Sequence, residues 1–123
     1  MKVGDTYTTT ILVTQSLLAN QVGSGDLEVF STPSMIALME NASMLLAQKY
    51  LPKEQTTVGS YVSVKHIKPT LAATKVSAQA TLKQVEGNKL TYTLKAWDEQ
   101  GDIGIGEHVR YIVNIESFIQ SIK

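Results

Sequence analysis

Residues 29–48 read VFSTPSMIALMENASMLLAQ, and Glu40 is the only charged residue among them. Thr32 stands where a helix N-cap belongs, Pro33 suits the first helical position, and apolar residues continue through Leu46. Leu51-Pro52 marks the end. The expected helix has about 18 residues and is roughly 27 Å long at 1.5 Å per residue. It is too hydrophobic all round for a surface helix, so other elements must enclose it. A lone carboxylate in such a segment is expensive to desolvate unless a cation or several donors reach it.

On either side the pattern changes to period two. Thr6 to Thr14 is rich in Thr, Tyr, Ile and Val, which favours a strand. Gln15 to Leu27, with Asn20, Gly23, Ser24 and Gly25, reads as a loop or lid. Beyond the helix, Val58 to Ile67, Lys75 to Val85, Lys89 to Trp97 and Ile103 to Ile115 each have strand composition. Gly87-Asn88 and Gln100-Gly101 separate the last three as hairpin turns. In the third run Leu90, Tyr92, Leu94 and Ala96 share one face, and Thr91, Thr93 and Lys95 the other, which describes a sheet with one covered side. The expected fold is α+β: an antiparallel sheet wrapped around one long helix, with residues 1–123 forming a single domain.

Eleven basic and eleven acidic residues cancel, and ten of the basic ones are scattered lysines. No basic stripe argues for nucleic acid or an acidic membrane surface. With no cysteine, disulfides and thiolate chemistry are excluded. The N-terminal stretch MKVGDTYTTTILV lacks the long apolar run and small-residue cleavage site of a signal peptide, and no segment approaches the ~20 apolar residues that span a bilayer. A soluble, cytoplasmic protein is expected.

Three residues stand out for chemistry. Glu40 shares its helix face with Ile36, Ala37, Ser43 and Met44, surroundings that suit a general base or nucleophile, unless the side chain simply snorkels to solvent. Thr32, eight residues earlier, lies roughly 80° away around the helix axis; it can cap the helix, meet a substrate, or do both. His66 shares strand parity with Val62 and Val64 and looks inward if that face is the covered one. His108 is the other histidine, sharing parity with Gly104, Gly106 and Arg110. Two histidines without acidic spacing give no metal signature, and no glycine cluster follows a strand and opens a helix as a phosphate loop would.

The order strand, lid, helix, strands resembles the hot-dog fold, and within it the sequence is similar to the fluoroacetyl-CoA thioesterase-like family. Three segments carry the likeness: VFSTPSMIALME, with a Thr eight residues before a Glu; VGSYVSVKH, with Gly59 seven residues before a His; and GIGEHVR, with glycines, a His and an Arg at alternating positions. The resemblance implies a catalytic set of Thr32, Glu40 and His66 acting on an acyl-CoA thioester of short or medium chain. CoA enters as part of the substrate, and no separate cofactor or metal is implied. Glu40 would attack or activate water, Thr32 would orient groups or act as nucleophile, and His66 would move protons. Gly59 would approach the thioester with its backbone, and Arg110, the only arginine, would lie near the site. A homodimer is also implied, with further pairing into tetramers left open.

One departure matters: the fluoroacetyl-specific member recognises fluorine with aromatic lid residues, and none occurs between Gln15 and Glu28. Selectivity for fluoroacetyl-CoA is therefore not transferred. A non-catalytic binder of acyl-CoA or a related ligand is the alternative. A hot-dog hydratase ranks last, because no Asp lies between Asp26 and Asp98.

Overall fold

The computed structural model describes all residues 1–123. Five strands, β1 (Thr6–Leu12), β2 (Gln55–His66), β3 (Lys75–Glu86), β4 (Lys89–Asp98) and β5 (Gly101–Asn114), form one sheet in the order β1-β3-β4-β5-β2. Every pairing is antiparallel. The long helix α2 (Thr32–Gln48) lies against β1, β2, β3 and β4, as the hot-dog arrangement requires. No helix is long and apolar enough to cross a membrane.

Alternation along the strands builds the core. Val76, Ala78, Ala80 and Leu82 of β3 and Leu90, Tyr92, Leu94 and Ala96 of β4 are buried under α2. The helix answers with Met35, Leu38, Met39, Ala42, Leu46 and Ala47. Sealing a side chain the size of Met35 or Leu46 contributes about 1.5–3 kcal/mol. Small residues let the layers approach: a Cβ at Gly104 would stand 2.5 Å from Met35 Sδ and 3.2 Å from Met39 Cε. The sheet does not enclose the whole helix. Ile36, Glu40, Met44 and Leu45 remain half-buried, and Ala37 is exposed.

The N-cap of α2 is Ser31, whose side chain accepts from the Ser34 N–H at 3.1 Å. Thr32 is the first helical residue and Pro33 the second, so the expected capping role of Thr32 passes to its neighbour. Two hydroxyl residues precede the proline, and proline fits either of the first helical positions because neither N–H has an intrahelical acceptor. Thr32 is thereby released for another contact.

Other boundaries shift for local reasons. Between the first strand and α2, residues Gln15–Leu17 form a 3-10 turn and Ala19–Val22 a short helix, α1, where only a loop was expected. β2 begins at Gln55 rather than Val58, because its polar start pairs with Asn114 to Ile112 of β5. The Gly87-Asn88 hairpin forms as expected, with Gly87 at φ 61°. The next turn centres on Glu99 and Gln100, between the paired Asp98 and Gly101. The chain ends in a helix the sequence did not announce, α3 (Ile115–Ser121), capped by Asn114 on the Ser117 N–H.

Candidate active site

The half-buried side of α2 carries two polar clusters. The first lies at the helix start. His66 ends β2 opposite Gly104 and faces the helix. Its Nδ1 lies 2.8 Å from Thr32 Oγ1. Its Nε2 is sealed from solvent with no partner. Burial lowers the imidazole's pKa below its ordinary value, which keeps it neutral at pH 7. The pair opens onto a cavity of about 240 Å³, walled by Ala19 and Ser24 of the lid, Val29, Phe30 and Lys68.

The helix end supplies few free donors. The Ser34 N–H is taken by Ser31 Oγ, the Met35 N–H by the Ser31 carbonyl, and Pro33 has none. The Thr32 hydroxyl is thus the side-chain donor available at this end of the helix.

The second cluster lies about two turns further along, roughly 12 Å from Thr32 on the helix axis. Glu40 Oε2 is 3.8 Å from Arg110 Nη1 and 3.9 Å from His108 Nε2. A Cβ at Gly59 would stand 3.0 Å from that same carboxylate oxygen, so glycine leaves room for it. Arg110 is buried and donates from Nε to Thr57 Oγ1 (2.7 Å) and from Nη2 to the Thr57 carbonyl (2.9 Å). Its Nη1 faces His108 Nε2 at 3.2 Å. The Tyr92 ring stacks on His108 at 6.0 Å, and its buried hydroxyl has no partner. Burial pushes the Tyr92 pKa up to about 12, with the Arg110 charge opposing the rise.

The structure thus brings Thr32 to His66, and brings Glu40 to Gly59 and Arg110, but leaves the two groups apart within one chain. Glu40 is not enclosed in this chain: its side chain is 41% exposed. Sequence reasoning missed His108 and Thr57 as partners of Arg110. The available signal was strand parity, which already put His108 on the face of Arg110. No group of three acidic or histidine side chains is placed to hold a metal ion. A larger open groove of about 510 Å³, between Tyr61, Thr93 and Ile105, lies on the opposite face of the sheet. Its charged residues, Lys65 and Glu107, are exposed and no imidazole lines it, so the smaller cavity is the stronger candidate.

Residues 13–116 match the family of fluoroacetyl-CoA-specific thioesterases. A fluoroacetyl-CoA thioesterase from Streptantibioticus cattleyicolor is 32% identical over 96 residues, covering 78% of this chain and 69% of that protein. The crystal structure of a point mutant of the fluoroacetyl-CoA-specific thioesterase FlK superposes with a TM-score of 0.93 at 28% identity, covering 99% of this chain and 95% of that one. A second FlK mutant, in complex with acetyl-CoA, gives 0.93 at 27% identity over 99% and 96% of the two chains. A thioesterase superfamily member from Thermus thermophilus shares the fold, with a TM-score of 0.88 at 24% identity over 98% and 92%. With most of its length matched, the chain belongs to the fluoroacetyl-CoA-specific thioesterase family.

Proposed function

We propose that this protein hydrolyses a short acyl-CoA thioester with Thr32, Glu40 and His66, in a site completed by a second copy of the chain. The observation that carries this reading is the 2.8 Å Thr32–His66 contact opening onto a lidded cavity. At about 240 Å³ that cavity is smaller than a pocket for a drug-sized ligand, which favours a small acyl group over a medium one. Its lid holds no aromatic residue, so the lid does not reproduce aromatic recognition of fluorine.

The tautomer of His66 follows from its surroundings. An orphaned buried N–H is rarer than an orphaned acceptor, so the proton is assigned to Nδ1, which donates to Thr32 Oγ1. The Thr32 hydroxyl proton is then free to donate to the thioester carbonyl and to strengthen that bond as charge develops on oxygen. Attack falls to Glu40. In the direct route the C–S bond breaks to leave an acyl-glutamyl anhydride, which water hydrolyses to the free acid and the regenerated carboxylate; in the other, Glu40 takes a proton from the attacking water and the C–S bond then breaks. In both, the departing thiolate recovers a proton supplied by that water, and CoA and the carboxylate product leave.

Pairing of two copies supports the convergence that one chain lacks. β2 is an edge strand, exposed from Gly59 to Ser63, and the half-buried Ile36, Glu40 and Met44 of α2 leave an apolar strip open. Antiparallel pairing of β2 with its copy, about an axis between Val62 and Ser63, would set Gly59 opposite the second copy's His66. Glu40 would then approach the Thr32–His66 pair across the boundary. A cytoplasmic location fits this use of CoA esters.

The test is a panel of acyl-CoA esters read by a thiol reagent, comparing the wild type with Glu40→Ala and His66→Ala. Release of CoA from short acyl esters, lost in both variants, is expected. Turnover untouched by either change overturns the mechanism, and saturable binding without CoA release points to a binding protein instead.

A further inference from the structure

The mechanism above uses Glu40 but leaves a buried histidine unexplained. His108 is 1% exposed, and each of its ring nitrogens has a defined neighbour. Nδ1 lies 2.7 Å from the Tyr61 carbonyl. A carbonyl only accepts, so Nδ1 carries the proton and donates. Nε2 then presents a lone pair, and it faces Arg110 Nη1, a donor that cannot be deprotonated, at 3.2 Å. Both contacts are satisfied only by the neutral Nδ1–H imidazole.

The backbone is shaped for this contact. The β2–β5 register slips between Gly59 and Tyr61, so that Val62 stands opposite His108. A bulge of this kind re-aims groups beside a site, and here the Tyr61 carbonyl meets the imidazole. The same slip keeps Gly59 opposite Arg110, under the Glu40 carboxylate.

We propose that His108 is a positioning residue: as a neutral acceptor it fixes the Arg110 guanidinium, and through it the Glu40 carboxylate. The proposal rests on the reading of Glu40 as the reactive carboxylate. With Nε and Nη2 committed to Thr57, the acceptor at His108 removes the remaining freedom of the guanidinium plane. The ionisable side chains facing the ring are Glu40 from α2, Arg110 from its own strand and Tyr92 from β4, while β2 contributes the Tyr61 carbonyl. Burial and the Arg110 charge oppose protonation of the ring; the Tyr61 carbonyl and Glu40 favour it, and the balance lies below the ordinary histidine value. A proton on Nε2 would set two donors against each other at 3.2 Å and draw the carboxylate, only 3.9 Å away, off Arg110.

Two variants and one spectrum test this. His108→Leu keeps the bulk and deletes the acceptor; kcat should fall about 10²-fold, the usual consequence of a carboxylate out of place, with KM little changed. His108→Gln restores an acceptor that does not titrate; kcat should recover to within about tenfold of wild type, and the acid limb of the kcat profile should move to lower pH. In the unmodified protein, ¹⁵N NMR of labelled histidine should show His108 protonated at Nδ1 and bare at Nε2 at neutral pH. The opposite tautomer, an imidazolium, or folded variants with wild-type kcat and an unmoved acid limb would overturn the proposal. Should His108→Leu fail to fold, the Gln variant and the spectrum still decide. If Glu40→Ala retains turnover, the catalytic reading itself fails, whereas the tautomer still reports whether His108 holds Arg110.

Discussion

The two polar clusters on α2 are held in opposite ways. Thr32 and His66 share one hydrogen bond at the rim of a cavity, with an exposed hydroxyl residue and a half-buried ring. Arg110 and His108 are buried and tied to backbone carbonyls of two residues on β2. Yet Glu40, which they surround, accepts no hydrogen bond from either: 3.8 and 3.9 Å are too long. A bidentate arginine clamp would occupy both carboxylate oxygens. Here the guanidinium is spent on Thr57, so Glu40 has a nearby cation while its oxygens stay open to react. Under the proposed mechanism, the end that receives ligand is thus loosely held, and the end that supplies the acid rests on a rigid frame.

The sharpest way to break this contrast is to remove the carboxylate. Glu40→Ala should lower kcat about 10³-fold, in the range expected for loss of a general base or nucleophile, with folding intact because the side chain is 41% exposed. Single turnover in ¹⁸O water then sharpens the role, because label in the Glu40 side chain indicates direct attack. Wild-type turnover by the alanine variant would reduce the second cluster to a structural feature.

At the other end the hydroxyl is the variable. Thr32→Val keeps the shape and deletes the donor, and should cost about 10²-fold in kcat. Thr32→Ser should retain most activity. Because Ser31 caps the helix, neither change should lower the melting temperature appreciably. A marked thermal loss in Thr32→Val would return the capping role to Thr32.

A smaller effect is expected from Gly59→Ala. The added methyl would lie 3.0 Å from Glu40 Oε2, 3.2 Å from His108 Cε1 and 3.4 Å from Arg110 Nη1. The carboxylate is the partner free to yield, so kcat should drop about tenfold while stability hardly changes. Unfolding of this variant, measured by urea titration, would mean that the frame and not the acid gave way.

Much of this was legible in the sequence, and what was not has a physical reason. Glu40 stood out because nothing charged surrounds it in the helix, and His66 because parity with Val62 and Val64 turned it inward. The Thr32 contact was hidden by an adjacent serine that competes equally well for the cap. The Arg110 network was hidden because it depends on register: parity puts His108 and Arg110 on one face, but only the slip after Gly59 brings the Tyr61 carbonyl to the ring. The separation of Glu40 from Thr32 was visible as about two turns of helix. The open β2 edge, at which a second copy would bridge that distance, appears only once the strand order is known.

The smallest effect is thermodynamic, and it weighs the two clusters against each other. Burial holds the pKa of both His108 and His66 below the ordinary 6.5. As pH falls through that value the unfolded chain takes up protons that the folded chain refuses. Stability is therefore fully present above about pH 6.5 and is lost as pH drops toward the folded pKa values, until the folded state also protonates. The urea midpoint should decline between about pH 7 and pH 5. The decline should flatten more in His108→Gln than in His66→Gln, because His108 is 1% exposed and faces a permanent cation, whereas His66 is half-buried beside a hydroxyl. The reverse ranking would mean that the strain of an added proton falls on the cavity end, and that the frame around Glu40 yields more readily than its buried bonds imply.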